Sequence, residues 1–160
     1  AHGWTETARL GIADGRPYDW FGWSLALDGD TALVGVPFDD DEGFDSGSVR
    51  VFVQSGGTWV HEAQLLASDG ADFAAFGWSV ALDGDTALVG AYGVHGPGPN
   101  SGAAYVFERE QGRWSQRARI VPSDGAPGDR FGWSVATRGA HAVAGALLDE
   151  ARGSALAWPR

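Results

Sequence analysis

The string Phe-Gly-Trp-Ser begins at Phe21, at Phe76 and again at Phe131, an interval of 55 residues each time. Trp4, Trp59 and Trp114 keep that interval, as do Asp14-Gly15, Asp69-Gly70 and Asp124-Gly125, and also Gly35, Gly90 and Gly145. Four kinds of marker in one register define an internal repeat. A unit of this length buries its apolar faces by stacking on its neighbours. The units run approximately over residues 3–57, 58–112 and 113–160 and form a single domain. Between Phe21 and Gly35 the first copy differs from the second only at Leu25 against Val80. The third copy diverges after Ala136, and its loop before Gly153 is about four residues shorter.

Each unit reads as four short strands. In Trp59–Leu65 the residues Trp59, Ala63 and Leu65 fall on one face at period two. Trp4, Ala8 and Leu10, and Trp114, Ala118 and Ile120, repeat that face. In the segment after the Asp69-Gly70 turn, Phe76, Trp78, Val80 and Leu82 alternate with Gly77, Ser79 and Ala81. Asp83-Gly84 then gives a two-residue hairpin, because both residue types tolerate positive φ. The strands Thr86–Ala91 and Ser101–Phe107 follow across a polar Gly/Pro-rich loop. No stretch keeps helical periodicity, so the chain is predicted to be all-β. Four strands recurring at this period predict a β-propeller of four-stranded blades, three per chain.

The Phe-Gly-Trp-Ser strings, followed by Leu33–Pro37 and by Ala87–Ala91, resemble the FG-GAP repeat of integrin α-chain propellers and their bacterial relatives. The resemblance implies an innermost strand from Phe76, a second from Thr86, a third of the Gly47–Val53 type and an outermost Trp-led strand. It also implies protein binding or adhesion and an extracellular or cell-surface location. By this phase residues 4–10 are an outermost strand that completes the last blade of a ring. Three blades are too few to surround an axis, so the expectation is a homodimer of six blades closed by strand exchange, with an open stretch cut from a longer propeller as the alternative.

The net charge of −10, with no Lys, excludes the clustered cations that nucleic-acid binding needs. Cys is absent, so there is neither a disulfide framework nor thiol chemistry. No apolar run approaches the length of about 18 residues that a membrane helix requires. Ala1 stands where a Met would begin a chain, which predicts processing or excision upstream.

No residue is assigned a catalytic, cofactor-binding or metal role. The acidic loop Asp39-Asp40-Asp41-Glu42-Gly43-Phe44-Asp45 invites a calcium reading. It lacks the third alternate carboxylate, and the second copy, residues 93–100, has no carboxylate at all, so a solvated loop is the stronger reading. Trp23, Trp78 and Trp133, with Trp4, Trp59 and Trp114, invite a lectin reading. Recurrence in every unit points rather to core. Trp20 has no counterpart at Ala75 or Arg130 and is the candidate exposed contact.

Asp14, Asp69 and Asp124 read as turn residues. Asp19 and Asp129 are replaced by Ala74 in the middle copy, which excludes a carboxylate chemistry common to all blades. His2, His61, His95 and His141 share no phase, and Ser24, Ser79 and Ser134 lie outside any nucleophile elbow. The expectation is a non-catalytic module for protein binding or assembly, with a carbohydrate-binding propeller as the alternative. Repeated polar pockets would mark a lectin, and the loops 38–46, 92–101 and 147–152 instead differ.

Overall fold

The computed structural model describes residues 3–149 and 152–159. Within them the chain forms three antiparallel sheets, one per repeat, and no α-helix. Blade 1 holds β1 (Leu25–Asp28), β2 (Thr31–Val36), β3 (Ser48–Ser55) and β4 (Thr58–Leu65), in that spatial order. Blade 2 repeats this with β5 (Ser79–Asp83), β6 (Thr86–Ala91), β7 (Ala103–Glu110) and β8 (Arg113–Ile120). Blade 3 has β9 (Phe131–Arg138), β10 (His141–Ala146) and β11 (Ser154–Pro159) and no fourth strand. The Asp-Gly hairpins form as expected: Asp28 pairs Thr31 around Gly29, and Asp83 pairs Thr86 around Gly84.

The second strands are the buried centres of the first two blades. Every residue of β2 and of β6 is buried, as the unbroken apolar runs TALVGV and TALVGA require. Leu33, Val49, Val51 and Leu65 of blade 1 pack with Phe76, Val89, Tyr105 and Phe107 of blade 2. Leu88 and Ala104 of blade 2 pack with Phe131, Ala144 and Ala146 of blade 3.

The blade junctions are also close backbone contacts. Ser24 Oγ donates to Gly77 O, and Ser79 Oγ to Gly132 O, each at 2.8 Å. A Cβ on Gly35 would lie 2.1 Å from Gly77 O, and one on Gly90 1.9 Å from Gly132 O, so only Gly fits either place. At the hairpin end, Asp28 accepts the Gly84 N–H and Asp83 the Gly139 N–H, both at 2.6 Å.

Three sequence expectations change. Phe76 and Gly77 precede β5 rather than opening it, whereas in blade 3 Phe131 and Gly132, of like φ, do open β9. Phe76, Val80 and Leu82 still reach the core between blades 1 and 2, while Trp78 leaves it. Trp59 and Leu65 do not share a face: β4 is bulged where Val51 pairs Ala63 and Phe52 pairs His61. The extra residue reverses the alternation, so Ala63 and Leu65 face blade 2 while Trp59 packs on Val34 and Phe52 on the opposite side.

Residues 4–10 form no strand. The outer edge of blade 1 is already occupied by β4, and the free edge of β11 belongs to the far blade. Leu10 and Ile12 lie instead on the outer face of blade 1, against Ala32, Val34 and Phe52.

Candidate binding face

The two ends of the stack differ. At one end the chain reverses in tight turns at Gly29, Gly56-Gly57, Gly84, Gln111-Gly112 and Gly139, all with positive φ. At the other lie the long connections from second to third strand and from each blade to the next. Apart from Trp4, the exposed aromatic residues collect at this second end.

Gly22, Gly77 and Gly132, with φ of 92°, 87° and 83°, turn the following indoles out of the blade cores. Trp23 and Trp78 lie 4.6 Å apart between ring centroids, and Trp78 and Trp133 4.8 Å. Trp20 extends this band by stacking on Trp23 at 5.0 Å. Phe38 meets Trp20 edge-on at 4.5 Å, and Tyr92 bridges Trp78 and Trp133 at 4.7 and 5.2 Å. The Arg130 guanidinium sits 5.7 Å from both the Tyr92 and the Trp133 rings, within cation–π range. Trp20 and Trp23 are 47% and 46% exposed, whereas Phe38, Trp78, Tyr92 and Trp133 are partly buried, so the band is most open beside blade 1 and continues as partly covered rings toward blade 3.

Left-handed backbone recurs beside it. Trp20, Ala75 and Arg130 share one repeat phase and adopt φ of 59°, 53° and 58°. Tyr18, Phe73 and Gly128 share another, at 78°, 63° and 86°. Such conformations cost a non-glycine residue on the order of 1 kcal/mol and persist where the surroundings impose them. Asp19 accepts the Arg16 N–H and Asp129 the Ala126 N–H, both at 2.6 Å, and both Asp residues are buried. These two aspartates are clamps of the left-handed turns. The frame repeats and the side chain on it varies: an indole, a methyl and a guanidinium at one phase.

The acidic loop is held by protein donors. Asp39 is buried and accepts from Ser48 Oγ and, at 2.9 Å, from Arg50. Arg50 is itself buried and also reaches Asp14 at 3.3 Å and Asp41 at 3.5 Å. Gln64 donates to Asp41, and the Asp45 N–H to Asp40 at 2.9 Å. Burial and the Asp40 carboxylate raise the Asp45 pKa. Among the described residues no group of three or more His, Asp or Glu is placed to hold a metal ion.

The FG-GAP repeat matches residues 4–52, 59–107 and 114–156, at the same period as the blades but offset from them by one strand. The chain belongs to the FG-GAP repeat family. No curated protein matches it significantly. Its repeats make this a β-propeller-type assembly of blades, as the motif spacing predicts. No helix among the described residues is long and apolar enough to cross a membrane.

The remaining expected sites fall into place around the FG-GAP frame. Ser24 and Ser79 are junction donors. Asp69 sits in the expected turn and accepts the Tyr105 hydroxyl at 2.8 Å; burial first, then this bond, pushes the Tyr105 pKa up. Trp59 and Trp114 pack against core, as recurrence predicts. Trp4 is fully exposed, and Trp23, Trp78 and Trp133 form the surface band instead of core. Trp20 is exposed as expected. Sequence reasoning missed Tyr18, Phe73, Tyr92 and Arg130. The shared phase of Tyr18 with Phe73, and of Trp20 with Arg130, was the available signal.

Proposed function

We propose that this FG-GAP chain is a non-catalytic binding module, half of a propeller ring closed by a second copy, whose aromatic end takes a protein ligand outside the cell. The carrying observation is the continuous band Trp20–Trp23–Trp78–Trp133 with Phe38 and Tyr92 at the end that bears the long loops, with Trp20 and Trp23 half-exposed. Aromatic anchors flanked by varied polar residues are what protein interfaces use. Indoles repeated in each blade also favour sugar stacking. The flanking phase, however, reads Trp20, Ala75 and Arg130, so no polar pocket recurs to hold equivalent sugars.

Ring closure is supported by faces left open at both ends. Leu25 and Leu27 are each 68% exposed, whereas their counterparts Val80 and Leu82 pack into the core between blades 1 and 2. Val143 is 38% exposed, whereas Leu33 and Leu88 at the same phase are fully buried.

Light scattering coupled to size exclusion should give twice the chain mass. A displayed random-peptide library should yield binders that Trp78→Ala loses, with a glycan array silent. A glycan signal alone would replace the protein-binding reading with the lectin one, and silence in both would refute the binding face.

A further inference from the structure

Outside the tryptophan band, the junction of blades 1 and 2 carries two large apolar side chains that the fold leaves open. Phe44 lies in the connection from β2 to β3 and Phe73 in the connection from blade 1 to blade 2; they are 57% and 60% exposed. Their rings meet edge-on at 5.3 Å between centroids. The backbone beneath them is firmly tied. The Phe73 N–H donates to Phe44 O at 2.7 Å, the Ala75 N–H to Asp45 O at 3.1 Å, and the Phe44 N–H to Asp72 Oδ1 at 2.9 Å.

The junction of blades 2 and 3 separates what the fold needs from what it does not. There the Gly128 N–H donates to Pro99 O at 2.9 Å and the Arg130 N–H to Asn100 O at 3.2 Å, the same two backbone bonds one repeat later. The backbone angles repeat as well: Asp45 and Asn100 take φ of 52° and 53°, Phe73 and Gly128 of 63° and 86°. The frame therefore forms without either phenyl ring. Glycine adopts this left-handed conformation without the steric penalty that phenylalanine bears. Neither ring belongs to a core cluster. Strain and open apolar surface that benefit neither frame nor core mark a contact with something outside the chain.

The surrounding charge selects the partner. Asp41, Glu42 and Asp72 are exposed beside the rings, and Asp40 and Asp45 are partly buried. Arg16 reaches Asp40 and Arg50 reaches Asp41, but among the described residues no cation pairs with Glu42, Asp45 or Asp72. In the sister junction, residues 93–100 include no carboxylate, and Pro127 stands at the phase of Asp72. The phenyl pair and its acidic surround thus occur together at one junction and are missing together at the other.

We propose that Phe44 and Phe73 anchor a cationic segment of a partner protein. An apolar side chain of that segment lies against the two rings, and its Arg or Lys residues pair with Glu42, Asp45 and Asp72. Nucleic acid, acidic lipid and a second copy of this chain, at a net charge of −10, are all repelled from the same place. This rests on the protein-binding reading of the loop end and gives the ligand its charge.

The probe is a displayed random-peptide library selected on the chain. Selected peptides should carry Arg or Lys beside an apolar residue. Phe73→Gly, which copies the sister junction, should weaken them about thirtyfold and leave the urea midpoint unchanged. Asp72→Asn combined with Glu42→Gln keeps an acceptor for the Phe44 N–H. It should weaken them about fivefold and flatten their dependence on NaCl. Peptides that Trp78→Ala releases and Phe73→Gly does not, or peptides without an excess of Arg and Lys, would leave the protein-binding reading standing and overturn the cationic anchor. A library that yields no binder would overturn both. A marked drop in the urea midpoint of Phe73→Gly would assign the pair to folding and overturn the anchor as well.

Discussion

Replacing Gly90 with Ala tests the physical basis of the blade junctions. A Cβ at Gly90 would fall 1.9 Å from Gly132 O and 2.3 Å from Ser79 Oγ. Real Cβ contacts stop at about 3.0 Å, so blade 3 must retreat by about 1.1 Å at its closest approach. A gap of that size forfeits roughly a quarter to a half of each dispersion contact across it, here among Leu88, Ala104, Phe131 and Ala144. Overpacking of this kind costs about 1–3 kcal/mol. Disturbing the Ser79–Gly132 hydrogen bond adds about 1 kcal/mol. The expected loss is about 3 kcal/mol, a large part of the stability of an ordinary domain.

Gly145→Ala is the matched control. Its Cβ meets only the rotatable Ser134 Oγ at 2.7 Å and no backbone atom closer than 3.6 Å. In the dilute single chain the control should therefore cost less than about 1 kcal/mol. In the proposed ring the same methyl would strike the partner's Gly22 carbonyl and abolish the dimer. Urea unfolding at dilution, followed by tryptophan fluorescence, measures the first effect, and sedimentation the second. Equal stability losses for the two variants, or a Gly90→Ala chain as stable as the unaltered one, would refute the steric argument.

Arg50→Ala leaves the buried Asp39 carboxylate without its cation. It should cost about 3 kcal/mol or more, read as a lowered urea midpoint. Tyr105 has its pKa raised in the folded chain, so its contribution is complete below the ordinary tyrosine value of about 10 and is lost as pH rises beyond it. Stability should fall above about pH 10, and Tyr105→Phe should flatten that fall in pH-dependent melts. The proposed ring would place Arg138 opposite the partner's Asp28-Gly29-Asp30 turn. The dimer should therefore weaken as NaCl rises and lose that dependence in Arg138→Ala, measured by sedimentation.

Much of the frame was legible because a repeat reports its own errors. The interval between Phe21, Phe76 and Phe131 fixed the blades, and the Asp83-Gly84 pair fixed the hairpin that positions β5 against β6. The faces of Trp59 and Trp114 were misjudged because period-two counting assumes an unbroken strand, and a bulge leaves no mark in the composition of Trp59–Leu65. The surface band was misjudged for a related reason. Recurrence of Trp23, Trp78 and Trp133 shows that each blade needs the residue, but not whether the neighbour it meets is core or the next indole. The φ of Gly77 decides that, and the sequence alone shows only that Gly is able to adopt it.

The hairpin end shows why the third blade is more than a worn copy. Asp28 holds the Gly84 N–H and Asp83 the Gly139 N–H, so each internal junction joins a carboxylate to the next turn. Arg138 stands third in that series and cannot accept an N–H. A third junction of the internal kind is therefore chemically unavailable, although Ser134, Gly145 and Val143 keep the other junction positions. What Arg138 does offer is a cation, and the turn it would meet in a second copy carries Asp28 and Asp30. In the proposed ring, an ion pair in place of a hydrogen bond would distinguish the closing contact from the internal ones. In that proposed ring, the difference would select the 3-to-1 register over the near-equivalent pairings that repeated faces otherwise permit.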